Sequence, residues 1–295
     1  MQYDVIIAGG SFAGLSAALQ LARARRKVLV IDAGQRRNRF ASTSHGFLGR
    51  DGATPGQIIA EARIQLGRYA TVEILEAMVL KVRRTGEEEF TVTTPDATFT
   101  ARRLILAGGV QDILPEIPGV MERWGKSIFH CPYCHGYELN QGEIGILATG
   151  ALSMHQAMLL PDWGRTTLLL NGSFILDSTQ LAELAERGVT VEDRLISRIS
   201  GASQPVVELA DGGSLAFSGL FTMSRTLAGP LAGQLGCELK DGPMGKFVGV
   251  DDFQQTSIPG VFACGDVARA AGSVTLAVAD GAMAGVGAHR SLIFR

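Results

Sequence analysis

The chain has 295 residues, 46% of them apolar and 19% charged, with a formal net charge of −2. That length predicts about two domains, each long enough to bury its own core, and the near-neutral charge gives no basis for a nucleic-acid or anionic-membrane partner. The 37 glycines are the departure from ordinary composition, and they gather at strand ends and helix starts, as nucleotide-binding turns require.

Met1-Gln2-Tyr3-Asp4 enters a strand without a basic leader or cleavage site. No run of about eighteen uninterrupted apolar residues follows, and four cysteines are too few for a secreted disulfide framework. A soluble, cytoplasmic chain with no membrane span is expected. Asp4-Val5-Ile6-Ile7-Ala8 predicts a buried parallel strand. Gly9-Gly10-Ser11-Phe12-Ala13-Gly14 predicts a turn, and residues 15–22 are strong helix formers. The next strand, Lys27-Val28-Leu29-Val30-Ile31, ends in Asp32, an acid about 20 residues beyond the turn.

This order of strand, glycine turn, helix, strand and acid predicts dinucleotide binding. Backbone N–H groups of the turn and the helix N-terminus face a pyrophosphate, and Asp32 accepts hydrogen bonds from a ribose. Ser11 stands where G-x-G-x-x-G has its middle glycine, at the closest approach of backbone to pyrophosphate. The basic run Arg36-Arg37-Asn38-Arg39 reads either as a contact to the adenosine end or as a solvated loop.

Leu104-Ile105-Leu106-Ala107-Gly108-Gly109 is a second buried strand ending in a glycine turn, and Pro115 and Pro118-Gly119 follow as a joint. Then comes Cys131-Pro132-Tyr133-Cys134-His135-Gly136. A C-x-x-C beside a βαβ pattern reads first as a redox pair, one thiol of which is acidified by its surroundings. The other readings are two unrelated thiols, or half a zinc site with His130 and His135 as neighbouring ligands; Cys237 and Cys264 supply no second C-x-x-C. No metal is expected. His135 reads as an acid–base group for the dithiol, since histidine takes and returns a proton near neutral pH; the alternative is a structural histidine bonded to backbone.

A second nucleotide unit is expected after Gly142, with strand Glu143-Ile144-Gly145-Ile146-Leu147, turn Ala148-Thr149-Gly150-Ala151-Leu152-Ser153 and a helix over residues 154–160. Against G-x-G-x-x-A the first glycine is Ala148 and the last small residue is Ser153; Gly150 remains. Its second strand, Thr166-Thr167-Leu168-Leu169-Leu170, ends in Asn171-Gly172-Ser173, with neither an arginine for a 2′-phosphate nor an acid for a ribose. NAD(P)H binding is therefore uncertain. Beyond the joint Asp241-Gly242-Pro243, the segment Thr256-Ser257-Ile258-Pro259-Gly260-Val261-Phe262-Ala263 predicts a strand carrying Cys264-Gly265-Asp266 at its tip. The fold class is α/β: two Rossmann-like domains, a discontinuous one over 1–114 and 242–295 and a central one over 118–240.

The motifs Gly9 to Gly14, Asp32, Ala107 to Gly109, Cys131 to Cys134 and Gly265-Asp266, in this order over almost the whole chain, resemble the two-dinucleotide-binding flavoproteins, and among them the low-molecular-weight thioredoxin reductases. The resemblance implies FAD in the first site, with Gly9, Gly10, Ser11, Gly14, Ala107, Gly108 and Gly109 around it, Asp32 on the adenosine ribose, and Gly265 and Asp266 at the ribityl or pyrophosphate. It implies that Cys134 exchanges electrons with the flavin while Cys131 meets the substrate sulfur, and that the protein is a homodimer. Where the reductases usually carry an acid after the second cysteine, this chain has His135.

Cys-Pro-Tyr-Cys-His-Gly-Tyr-Glu (131–138) and Ser44-His45-Gly46-Phe47-Leu48 are most similar to the branch of dithiol oxidases of gliotoxin and holomycin biosynthesis. That branch turns substrate dithiols into disulfides and passes the electrons to oxygen. His45 then lies near the flavin, or is a simple loop histidine. The expected function is an FAD-dependent thiol–disulfide oxidoreductase acting on a small-molecule dithiol or disulfide or a thioredoxin-like protein. An NAD(P)H-dependent thioredoxin-disulfide reductase with a divergent nucleotide site, a ferredoxin-dependent reductase and a non-catalytic redox sensor are the other readings.

Overall fold

The apolar runs at the N-terminus form the parallel middle of a mixed sheet in the computed structural model, which describes residues 2–294. Strand β1 (Gln2–Ala8), helix α1 (Phe12–Arg23), β2 (Val28–Asp32), α2 (Pro55–Leu66), β3 (Val72–Glu76), β4 (Lys81–Gly86), β5 (Glu89–Thr93) and β6 (Thr98–Leu106) follow in the chain. The sheet order is β3-β2-β1-β6-β5-β4. Register places Ile7 against both Val30 and Ile105 at its centre. The far side of β6 is shared: its first half pairs antiparallel with β5, and its last three residues pair parallel with Val261–Ala263. That arrangement brings the ends of β1, β2, β6 and Val261–Ala263 to one edge of the sheet.

These strands are apolar without alternation because both faces are covered. Val5, Ile7, Val28, Val30 and Ile105 pack against α1 and the helix Val274–Ser291. Ile6, Leu29, Ile31, Leu104 and Leu106 pack on the opposite face with Val82, Phe90 and Val92.

The chain divides into two units. The first comprises Met1–Arg39, Phe47–Gln111 and Thr226–Arg295, the second Phe40–Gly46 and Asp112–Arg225. Three boundaries therefore differ from the sequence expectation, the smallest shift being the first crossing, at Gln111/Asp112 instead of after residue 114. Residues 226–241 go with the first unit because Ala232 and Cys237 pack beside Val82 and Phe90, and the Gln234 side chain bonds the backbone of Val82 and Leu80. Asp241-Gly242-Pro243 is thus a turn between the paired strands Leu239–Lys240 and Phe247–Val248 inside that unit, and the chain crosses at Arg225/Thr226. Residues 40–46 leave the first stretch and belong to the second unit.

The second unit holds a five-stranded parallel sheet in the order Thr190–Glu192, Gly164–Leu169, Gln141–Leu147, Gly219–Thr222, Ile128–Phe129. An antiparallel ribbon of Ile196–Ser200, Val206–Leu209 and Ser214–Ala216 covers part of it through Ile199, Val207 and Leu209. Two Rossmann-like domains are the result. Among the described residues, no helix is long and apolar enough to cross a membrane.

Candidate active site

In the first unit, β1 ends at a turn that only glycine can make. Gly9 has φ 112°, and a Cβ there would sit 2.3 Å from the Ala107 carbonyl oxygen. A Cβ on Gly14 would fall 1.8 Å from the Gly9 carbonyl oxygen, so α1 starts directly against the turn. Ser11 caps α1 in extended conformation without a side-chain cap, and the first turn of the helix carries no acid, so its positive end is left for a bound anion.

Asp32 ends β2 beside Gly10. Its carboxylate accepts the Gly34 N–H at 3.2 Å and Arg63 Nη2 at 2.7 Å, and Arg63 Nη1 also holds Glu76 at 3.1 Å. Ala107, Gly108 and Gly109 follow β6, and Cys264, Gly265 and Asp266 follow Val261–Ala263. Asp266 accepts Arg37 Nη1 at 2.8 Å. Arg36 Nε and Asn38 Oδ1 are buried without a hydrogen-bond partner. A glycine cradle, a fixed acid and orphaned buried polar atoms on the segment after Asp32 together fit a dinucleotide. Arg63 was not legible in the sequence, since a lone arginine on α2 has no spacing relation to Asp32.

In the second unit, Ile128–Phe129 leads into Cys131, which caps the short helix Pro132–His135, with Pro132 at its first position. Helical winding places Cys134 one turn from Cys131, the Cys134 N–H meets the Cys131 carbonyl at 3.2 Å, and the two sulfurs are joined in a disulfide. Of the three readings of the pair, the structure carries the redox one. The Gln156 amide, 2% exposed, donates to the His130 carbonyl at 2.9 Å and fixes the approach to the pair. Tyr133 is 71% exposed and stands edge-on to Trp163 at 5.2 Å.

His135 is stacked on Phe129, with ring centroids 4.3 Å apart and planes 21° apart. Burial pushes its pKa down to about 4; the Glu138 carboxylate opposes that shift and the His45 imidazole adds to it. At neutral pH His135 is therefore a free base. His45 belongs to this same unit, its Nε2 3.4 Å from Glu138 Oε1 and 3.2 Å from Thr43 Oγ1. Glu138 was missed in the sequence reading, although a carboxylate three residues after His135 was visible as a spacing. Cys237 and Cys264 are buried free thiols, each pushed up by burial and so kept protonated.

The second nucleotide turn, at Ala148-Thr149-Gly150, leads into Ser153–Leu159, a helix of seven residues. Ser153 is fully buried, and its Oγ accepts the Thr149 N–H at 3.0 Å. Thr149 Oγ1 donates to the Met223 carbonyl. At the end of Gly164–Leu169, Asn171 Oδ1 accepts the Ile196 N–H at 2.8 Å.

The profile of the pyridine nucleotide-disulphide oxidoreductases matches residues 3–281. The thioredoxin reductase tcpT of Claviceps purpurea (strain 20.1) is 34% identical over 304 residues, covering 98% of this chain and 94% of that protein. The crystal structure of an oxidoreductase from Agrobacterium tumefaciens has 55% identity and a TM-score of 0.96, covering 100% of this chain and 99% of its own. That of HlmI has 35% identity and a TM-score of 0.93, covering 99% and 93%. A disulfide on a C-x-x-C turn, a dinucleotide cradle on a separate Rossmann-like sheet and these likenesses agree: the chain belongs to the pyridine nucleotide-disulphide oxidoreductase family, is similar to thioredoxin reductases, and by that membership is a flavin enzyme.

Proposed function

We propose that the protein is an FAD-dependent dithiol oxidase working through Cys131 and Cys134. A substrate thiol, deprotonated by His135, attacks Cys131 Sγ; the Cys131–Cys134 bond breaks and Cys134 leaves as a thiolate. The second substrate thiol gives its proton to the Cys134 thiolate and attacks the substrate sulfur of the mixed disulfide, releasing the substrate as a disulfide and Cys131 as a thiolate. Two electrons have passed from substrate to the cysteine pair. FAD, when bound, supplies a two-electron acceptor for that dithiol which oxygen can empty.

The residues proposed to hold it are Gly9, Gly10, Ser11 and Gly14 at the pyrophosphate, Asp32 at the ribose, and Ala107, Gly108, Gly109, Gly265 and Asp266 along the rest. The observation that carries the reading is the disulfide with a neutral His135 one residue beyond it. Oxidation is favoured over NAD(P)H-driven reduction by the second turn. Its Thr149 N–H, a group such turns offer to a pyrophosphate, is already taken by Ser153. The relatives named as thioredoxin reductases favour the reductase as second reading, with a thioredoxin-like protein as substrate.

The test is Cys134→Ser. The variant is expected to purify yellow with bound flavin and to lose turnover with small dithiols; full activity would overturn the proposal. A homodimer is expected by light scattering.

A further inference from the structure

Two stretches of the second unit bring three ionisable groups together just beyond the cysteine pair. His135 ends the helix Pro132–His135, Glu138 lies three residues on in the turn Tyr137–Leu139, and His45 arrives from the 40–46 segment. Three-residue spacing across adjoining helical turns puts Glu138 on the His135 side, and His45 Nε2 sits 3.4 Å from the Glu138 carboxylate. One face of the His135 ring is covered by Phe129, which carries no charge. His130, next along the chain, has its carbonyl tied to Gln156.

Such an environment makes protonation of His135 expensive. Burial opposes it most, Glu138 is the group that favours it, and the His45 imidazole adds to the opposition. A base that must hold a proton between two thiol–disulfide exchanges needs a negative partner that is present before the proton arrives. We infer that Glu138 is the counter-charge for the imidazolium formed on His135 when a substrate thiol is deprotonated, and that His45 sets how much of that charge His135 receives. The inference rests on the proposed role of His135 as proton acceptor. Glu138 and His45 are positioning residues in this account, since neither is assigned contact with the reacting sulfurs. The proton moves from the substrate S–H to a ring nitrogen of His135, and no electrons move in that step.

The experiment uses the purified oxidised flavoprotein with isotope-labelled histidine. The ring signals of His135 are titrated by NMR, and the anaerobic single-turnover reaction with dithiothreitol is followed from pH 5 to 9. Glu138→Gln is expected to move the His135 midpoint further down and to slow the dithiol reaction by roughly tenfold. Glu138→Asp should recover part of both, and His45→Asn should move the midpoint up. An unmoved midpoint in Glu138→Gln, or an unchanged single-turnover rate, would overturn the inference. Failure of the wild-type protein to react with the dithiol would instead overturn the proposed function on which the inference rests.

Discussion

Acid should weaken the second unit by an amount that His135 largely sets. In the folded protein its pKa is pushed down to about 4, first by burial, with Glu138 opposing and His45 reinforcing. In the unfolded chain it returns to about 6.5. Between those values the unfolded chain binds a proton that the folded one does not, so stability falls as pH falls. A difference of about 2.5 pKa units corresponds to a limit of about 3 kcal/mol, of which about 2.5 kcal/mol is lost by pH 4.5.

Both tryptophans, Trp124 and Trp163, lie in the second unit, so fluorescence-monitored urea unfolding reports it selectively. His135→Phe keeps an aromatic ring against Phe129 and removes the titration. Groups that do not interact with His135 titrate equally in both proteins and cancel in the difference. From pH 7 to pH 4.5 the wild type is expected to lose about 2.5 kcal/mol more than the variant. An equal loss in both would refute the buried, neutral His135 on which the proposed proton transfer depends.

Gly14→Ala should cost about 2 kcal/mol or more, because its Cβ would fall 1.8 Å from the Gly9 carbonyl oxygen and the turn must shift; the ratio of flavin to protein absorbance should fall with the melting temperature. Arg63→Leu should weaken flavin binding several-fold in an equilibrium titration of the apoprotein, since it frees the Asp32 carboxylate that Arg63 holds at 2.7 Å. Asp280→Ala breaks a two-pronged pair with Arg269, one arm at 2.7 Å, beneath the Gly265-Asp266 turn. Asp280 is buried but Arg269 stays within reach of water, so thermal unfolding should show a loss of about 2 kcal/mol rather than the larger cost of stranding a buried charge.

The parts of the fold that the sequence made legible are those where one physical cause acts alone. Residues 5–8 and 104–106 are apolar because both sheet faces are covered, and that run is unambiguous. Strands β4 and β5 and the ribbon 196–216 are short and mostly polar on one side, and the sequence reading did not separate them from loops. Glycine and proline alone point to a joint at residues 241–243, whereas the packing of Ala232 and Cys237 in the first unit puts the crossing at Arg225/Thr226. In the site, the cysteine pair and His135 declare themselves by adjacency. His45 and Glu138 are 93 positions apart in the chain and meet only in the fold. The departure of the second nucleotide turn from G-x-G-x-x-A, at Ala148 and Ser153, is legible in the sequence, whereas the hydrogen bond from the Thr149 N–H to Ser153 Oγ is a matter of geometry.

Mixing the purified yellow protein anaerobically with NADPH or NADH, and separately with a small dithiol, tests the central claim most directly. Bleaching of the flavin by the dithiol alone, with colour and peroxide appearing when air is admitted, is the predicted result. Rapid bleaching by a pyridine nucleotide would contradict it and make the protein a reductase with a working turn at residues 148–153.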